Sequence, residues 1–239
     1  MTGPIQDQTV LVVGRGSGIA RAIVVASRDA GARVVAAGLD ESRLATEYAD
    51  EENVTAQSVD LTDDSSIEAL GKRLESVDHV VSTASARARG RIEELDREAV
   101  RLSLDTKVIG PLMLAKHLAP RTSDGGSFVI FSGVAAFKIA IGTMAVAITN
   151  GAAETLVRSL ALELAPIRVN GISPGVIDTG AYDALGDQGK ADYFADISSR
   201  NPVRRIGTPE DIAAAVLFAL TNTFLTGQTL CVDGGEPLT

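Results

Sequence analysis

The chain has 239 residues, 45% hydrophobic, 22% charged and 4% aromatic, with 23 Gly and no Trp; that stock of small aliphatic residues supports a large core and excludes a disordered or collagenous chain. A formal net charge of −9, from 22 Lys+Arg against 31 Asp+Glu, argues against nonspecific nucleic-acid binding, though not against an anion held in a local pocket. The single Cys231 excludes an internal disulfide and a cysteine metal cage, and no metal is expected.

Short apolar runs alternate with longer amphipathic stretches. Residues 9–13 predict a strand ending at Gly14, 18–30 a helix, 33–37 a second strand and 40–50 a polar helical stretch. Residues 54–59 read as a strand, 63–75 as a helix capped by Thr62 or Asp63, and 79–83 as a buried strand. Residues 95–118 form one long helix or two split near Gly110 and Pro111; a turn at Asp124-Gly125-Gly126 precedes a strand over 127–132. Residues 142–164 are helical up to Pro166, 167–172 extended, 211–220 helical behind Thr208-Pro209-Glu210, and 229–232 the last strand. Strand–helix alternation of this kind predicts one α/β domain over 1–239: a Rossmann-type, doubly wound parallel sheet of about seven strands in three α/β/α layers. Residues 180–205 break the rhythm and are expected to be a lid or binding loop inserted over the site.

The run Gly14-Arg15-Gly16-Ser17-Gly18-Ile19-Ala20 joins the first strand to the first long helix. Glycines let the backbone approach a phosphate closely, and the helix N-terminus offers unpaired N–H groups and partial positive charge. Strand before and helix after supply the context that dinucleotide binding needs.

This turn resembles the T-G-x-x-x-G-I-G turn of the short-chain dehydrogenase/reductase family, with Val13 in the Thr place and Ala20 in that of the last Gly. The resemblance covers nearly the whole chain. Ser58-Val59-Asp60-Leu61-Thr62 carries the family's adenine-side Asp, and Val80-Val81-Ser82-Thr83-Ala84-Ser85 stands where the family has L-V-N-N-A-G. Arg168-Val169-Asn170-Gly171-Ile172-Ser173-Pro174-Gly175 is similar to R-V-N-x-[IV]-x-P-G, with Thr179 in the place of a Thr that touches the nicotinamide. Thr226-Gly227-Gln228 and Val232-Asp233-Gly234-Gly235 complete the set. The resemblance implies a nicotinamide dinucleotide held by Gly14, Arg15, Gly16, Ser17, Gly18, Ile19, Gly38, Leu39, Asp60, Leu61, Thr83, Ala84, Lys107, Asn150, Pro174, Gly175, Ile177 and Thr179.

An acid at the end of the second strand would bind the ribose hydroxyls and repel a 2′-phosphate. Gly38 stands there, followed by Leu39. Arg15, and more weakly Arg43, are in reach of such a phosphate, against one nearby acid, Asp40. NADP(H) is favoured over NAD(H).

The family reaction transfers hydride between the nicotinamide and a carbonyl or alcohol carbon. A Tyr moves the proton, a Lys lowers its pKa, a Ser holds the substrate oxygen and an Asn supports a water relay. Here Val146 stands for the Tyr, Asn150 for the Lys, Gly133 for the Ser and Lys107 for the Asn. The exchange of Lys and Asn suggests that Lys107 returns an ammonium to the pocket and that Asn150 hydrogen-bonds the ribose. Ser132 and Tyr182 complete the candidate catalytic set, with Thr143, Thr149, Tyr193 and Lys138 as further proton donors and His79 and His117 expected to be structural or surface residues.

Three functions remain open: an NAD(P)(H)-dependent oxidoreductase with an unorthodox proton path, a non-redox isomerase or lyase on the same scaffold, and a non-catalytic nucleotide-binding sensor or partner. Phe137, Ile139, Ile141, Val146 and Phe194 point to an apolar small-molecule substrate. The resemblance implies a homodimer or homotetramer built on residues 95–118, 142–164 and 229–239. No apolar run approaches ~20 residues and the first residues, MTGPIQDQ, lack a basic–apolar leader layout, so a cytoplasmic enzyme with no membrane or nucleic-acid partner is expected.

Overall fold

The structure, a computed structural model, describes residues 3–239. Seven strands, β1 (Thr9–Val13), β2 (Arg33–Gly38), β3 (Val54–Ser58), β4 (Val77–Ser82), β5 (Thr122–Phe131), β6 (Arg168–Pro174) and β7 (Thr229–Val232), form one sheet in the order β3-β2-β1-β4-β5-β6-β7. Every pairing is parallel. The helices are α1 (Ile19–Asp29), α2 (Glu41–Glu47), α3 (Asp64–Arg73), α4 (Arg97–Leu104), α5 (Gly110–Leu118), α6 (Met144–Glu163), α7 (Gly186–Arg200) and α8 (Pro209–Thr221).

Successive side chains of a strand point to opposite faces. Val10 and Val12 of β1 therefore join Ile23 and Val24 of α1 and Ile212 and Val216 of α8 on one side. Leu11 and Val13 join Ile67 and Leu70 of α3, Leu114 of α5 and Val157 of α6 on the other. Both faces are covered, so the strands read as continuous apolar runs rather than alternating ones.

Arg168 satisfies the carbonyls left over at the C-terminal end of α8, donating to Ala219 O and Leu220 O at 2.7 Å and to Asn222 O at 2.9 Å. Asn170 donates to Leu225 O at 2.8 Å and accepts from Gln228 N at 3.3 Å. The Arg-Val-Asn run thus ties β6 to the segment that leads into β7. No described helix is long and apolar enough to cross a membrane.

Residues 95–118 follow the first of their two readings: one helix runs on through a π-helical turn, Asp105–Ile109, in which Gly110 N bonds Asp105 O, while two elements, β5 and α7, differ from expectation. Pro111, which has no N–H to give, falls just past that change of register. Strand β5 begins at Thr122 and includes Gly125 and Gly126, expected as a turn; a register shift against β4 between Val77 and His79 absorbs them. Residues 180–205 are mostly helix α7 rather than loop. Its only buried residue is Ile197, so no apolar stripe marks it. It is held instead by Lys190 pairing with Asp178 and Asp183, by the Arg200–Asp196 pair, and by packing of Tyr182, Tyr193 and Phe194 at 5.2–6.1 Å between ring centroids.

Candidate active site

The C-terminal ends of parallel strands share one edge, and the strand order reverses between β1 and β4, which opens a crevice there. Gly14 follows β1 and Thr83 follows β4. Thr83 donates from N and Oγ1 to Val13 O at 2.9 and 3.0 Å. A Cβ on Gly14 would lie 2.3 Å from Thr83 Oγ1, so only glycine fits this close approach. Gly18 has φ +55°, and a Cβ there would lie 2.9 Å from Thr179 Cβ. The glycine turn and the Thr179 loop therefore meet across the crevice.

Gly18 caps α1 without any side-chain hydrogen bond, and the first turn holds no acid. By contrast, Asp40, Asp63, Asp96 and Thr208 all cap their own helices. The free N–H groups at the start of α1, behind a turn that excludes side chains, suit a pyrophosphate. The residues present thus fit a dinucleotide.

At the end of β2, Gly38 is buried; a Cβ there would lie 2.5 Å from Gly14 O, which leaves no room for an acid. Leu39 is 79% exposed. The Asp40 carboxylate accepts Arg43 N at 2.9 Å and is committed to capping α2. Arg15 and Ser17 are exposed beside the turn, and among the described residues neither Arg15 nor Arg43 forms an ion pair. Asp60 accepts Thr62 N and Oγ1 at 2.8 and 2.7 Å. Leu61 is buried and packs on Gly110, Ile177 is buried in a bridge to Gly207, and Ala84 is half-buried behind Thr83. Pro174 ends β6, and Gly175 N bonds Val232 O at 3.1 Å.

The positions expected to differ from the family's catalytic pattern come together. Lys107, carried by the π turn, is only 7% exposed. Its Nζ donates to Asn150 Oδ1 at 2.5 Å and to Ser132 O at 2.9 Å. Burial pulls its pKa from 10.5 down to about 7; the Arg87 charge adds to the fall and Glu154 opposes it. Asn150 donates one of its two Nδ2 N–H groups to Gly133 O at 3.2 Å. Ser132 Oγ donates to Asn150 O at 3.2 Å. A Cβ on Gly133 would lie 2.9 Å from Asn150 Nδ2, so a larger residue there would displace Asn150. Val146 is buried one turn before Asn150.

The other candidates are engaged elsewhere. Lys138 donates to Glu236 O and Thr239 Oγ1, Thr143 to Ala140 O and Thr149 to Val146 O. His79 is buried between Ser127 Oγ at 2.9 Å and Gln8 Oε1 at 3.0 Å, and burial holds its pKa down at about 4. His117 lies 2.8 Å from Asp64 near the surface. Tyr182 sits in the aromatic cluster with α7, where burial raises the Tyr193 phenol to about 12. Sequence reasoning passes over Arg87, whose signal is two arginines on either side of Ala88 just after a strand in an acidic chain. Among the described residues no group of three or more His, Cys, Asp or Glu is placed to hold a metal ion.

The family model described as Enoyl-(Acyl carrier protein) reductase matches residues 13–236. The short-chain dehydrogenase/reductase ucsE of Acremonium sp. is 30% identical over 97% of this chain and 96% of its own length. The human dehydrogenase/reductase SDR family member 4 is 29% identical over 98% and 89%. A solved small-chain dehydrogenase in complex with NADPH is 30% identical, covers 98% of this chain and 100% of its own, and superposes with a TM-score of 0.82. The MalC Reductase/Diels-Alderase from Malbranchea aurantiaca is 25% identical over 100% and 99%, with a TM-score of 0.92. By its glycine turn, its sheet order and these matches, the chain belongs to the short-chain dehydrogenase/reductase family of oxidoreductases.

Proposed function

We propose that this chain is an NADP(H)-dependent oxidoreductase in which Lys107, rather than a tyrosine, handles the proton of a small, largely apolar carbonyl/alcohol, imine or enone. The nicotinamide, when bound, supplies or accepts the hydride. Preference for the 2′-phosphorylated form rests on the absence of an acid at Gly38 and on the unpaired Arg15. That a similar structure is a complex with NADPH supports it.

The observation that carries the reading is the Lys107 amine, buried and held by two acceptors, where burial pulls its pKa down to about 7. Those acceptors use two N–H bonds. The third proton of the ammonium, or the lone pair of the amine, remains for the substrate oxygen or nitrogen. Ser132 and Asn150 are positioning residues, acting through the Ser132 carbonyl and the Asn150 amide. In reduction the ammonium form is the acid, so the rate should fall as pH rises through about 7. In oxidation the amine is the base, and the rate should rise over the same range.

The test is a fluorescence titration with NADPH and NADH, then a screen of carbonyls, imines and enones for nicotinamide turnover. Lys107→Met should lose about 10²–10⁴-fold in kcat while still binding NADPH. Full activity in that variant, with the same pH profile, overturns the assignment. A second reading, a non-redox reaction on this scaffold, draws on the neighbour named as both reductase and Diels-Alderase; product formation without nicotinamide turnover would favour it. The exposed Ile109 at the end of the π turn, Leu112 of α5 and Met144, Ile148 and Leu162 of α6 suit an isologous dimer face.

A further inference from the structure

The loop after β4 carries two arginines, Arg87 and Arg89. It is pinned at both ends. Ala86 N donates to Thr106 Oγ1 at 3.0 Å, on the π turn that holds Lys107, and Gly90 N donates to Gly142 O at 3.1 Å, just before α6. Between these anchors Ala88 is buried at 3% exposure, while Arg87 and Arg89 on either side of it are exposed.

Among the described residues neither arginine forms an ion pair, in a chain with nine more acids than bases. Arg87 is close enough to lower the Lys107 ammonium, and Arg89 close enough to act on the Tyr193 phenol of α7. Arg87 and Arg89 thus place two cationic groups beside Lys107 and Tyr193; the acids that act there, Glu154 on Lys107 and Glu236 on Tyr193, form no ion pair with either arginine among the described residues, so a bound anion would gain from both. The loop that Gly90 grips also exposes Phe137, Ile139 and Ile141.

We propose that Arg87 and Arg89 form an anion-recognition site in the substrate cleft, and that the substrate joins an apolar body to a carboxylate. The guanidinium fork matches a carboxylate in geometry and charge. The proposal rests on the oxidoreductase reading only for the identity of the cleft. The other source of anionic oxygens is the cofactor's own phosphates, and the test separates the two.

Calorimetry would measure 4-formylbenzoate and its neutral methyl ester against the wild-type chain and an Arg87→Ala/Arg89→Ala variant, with and without NADP+, beside an NADPH titration of each. Wild type should bind the carboxylate at least about tenfold more tightly than the ester. The double variant should lose that preference and keep its NADPH affinity within about twofold, and Arg87→Lys/Arg89→Lys should keep part of the preference. Equal binding of the two probes to wild type, no binding of either at ~10 mM, or a preference that survives in the double variant overturns the proposal. A parallel loss of NADPH affinity overturns it too, by assigning the arginines to the cofactor. If the carboxylate preference holds but no pyridine nucleotide binds, the oxidoreductase reading fails and the anion site stands.

Discussion

Replacing Lys107 by Met tests whether the amine is held near neutrality by burial. In the folded chain its pKa is pulled from 10.5 to about 7, so between those values the unfolded chain binds more protons. Stability must therefore rise with pH across that window and fall as pH drops towards 7. The penalty on the folded state comes to about 4 kcal/mol at pH 7 and about 2 kcal/mol at pH 9. Met removes this dependence. It also leaves Ser132 O and Asn150 Oδ1 without their donor, at about 1–3 kcal/mol each. The two chains should then lie within a few kcal/mol of each other at pH 7, and wild type should gain about 2 kcal/mol on the variant between pH 7 and 9. Urea unfolding of both proteins at the two pH values reads this directly, because every other titrating group is shared and cancels. A difference that stays constant to within about 0.5 kcal/mol would show that Lys107 is an ordinary ammonium in the folded chain and refute the reasoning.

Arg15→Ala should weaken NADPH about tenfold or more while leaving NADH nearly unchanged; equal losses in a fluorescence titration would remove Arg15 from the 2′-phosphate. Arg168→Met deletes three hydrogen bonds to the end of α8, two of them buried, and should cost about 3–5 kcal/mol in urea unfolding; a loss under about 1 kcal/mol would show that the carbonyls find other partners. Burial holds His79 at about 4 against 6.5 when unfolded, so the unfolded chain takes the extra proton and stability is lost as pH falls through that range. The loss reaches about 3 kcal/mol. His79→Gln should unfold with a flatter pH dependence between 6.5 and 4.5, and an unchanged slope would mean the imidazole is not held neutral.

The fold was legible because local signals agreed with the global pattern. Residues 229–232 match β7, and the apolar runs behind β1, β2 and β3 fall within a residue or two of the observed strands. Where the pattern failed, the stabilising contacts are not periodic. Helix α7 buries only Ile197 and stands on ion pairs and on tilted and edge-on ring contacts that no hydropathy window registers. The glycine turn was legible for the same reason as the strands, since its chemistry is local. The bonds of Lys107 to Ser132 and Asn150 span 25 and 43 residues, and no spacing rule brings them into contact. Motif positions named the residues; only the π turn and the packing of α6 join them.

The residues at the four positions that the sequence reading sets against the family's catalytic pattern, Lys107, Gly133, Val146 and Asn150, fit one another. Lys107 needs an acceptor where a second ammonium would repel it, and Asn150 Oδ1 is that acceptor. Asn150 needs space, and Gly133 gives it. Val146 adds an apolar side chain, 8% exposed, one turn away on the same helix, and loss of water is the largest cause of the lowered amine pKa. A phenol would need a neighbouring cation to reach the same range; the buried amine reaches it through desolvation. This coupling has a direct consequence. Asn150→Lys alone sets two ammonium groups against each other in a dry site, so it should be less stable than Lys107→Asn/Asn150→Lys, where one cation faces one amide again. Unfolding both chains in urea ranks them, and a single variant more stable than the double would break the argument that positions 107 and 150 act as one unit.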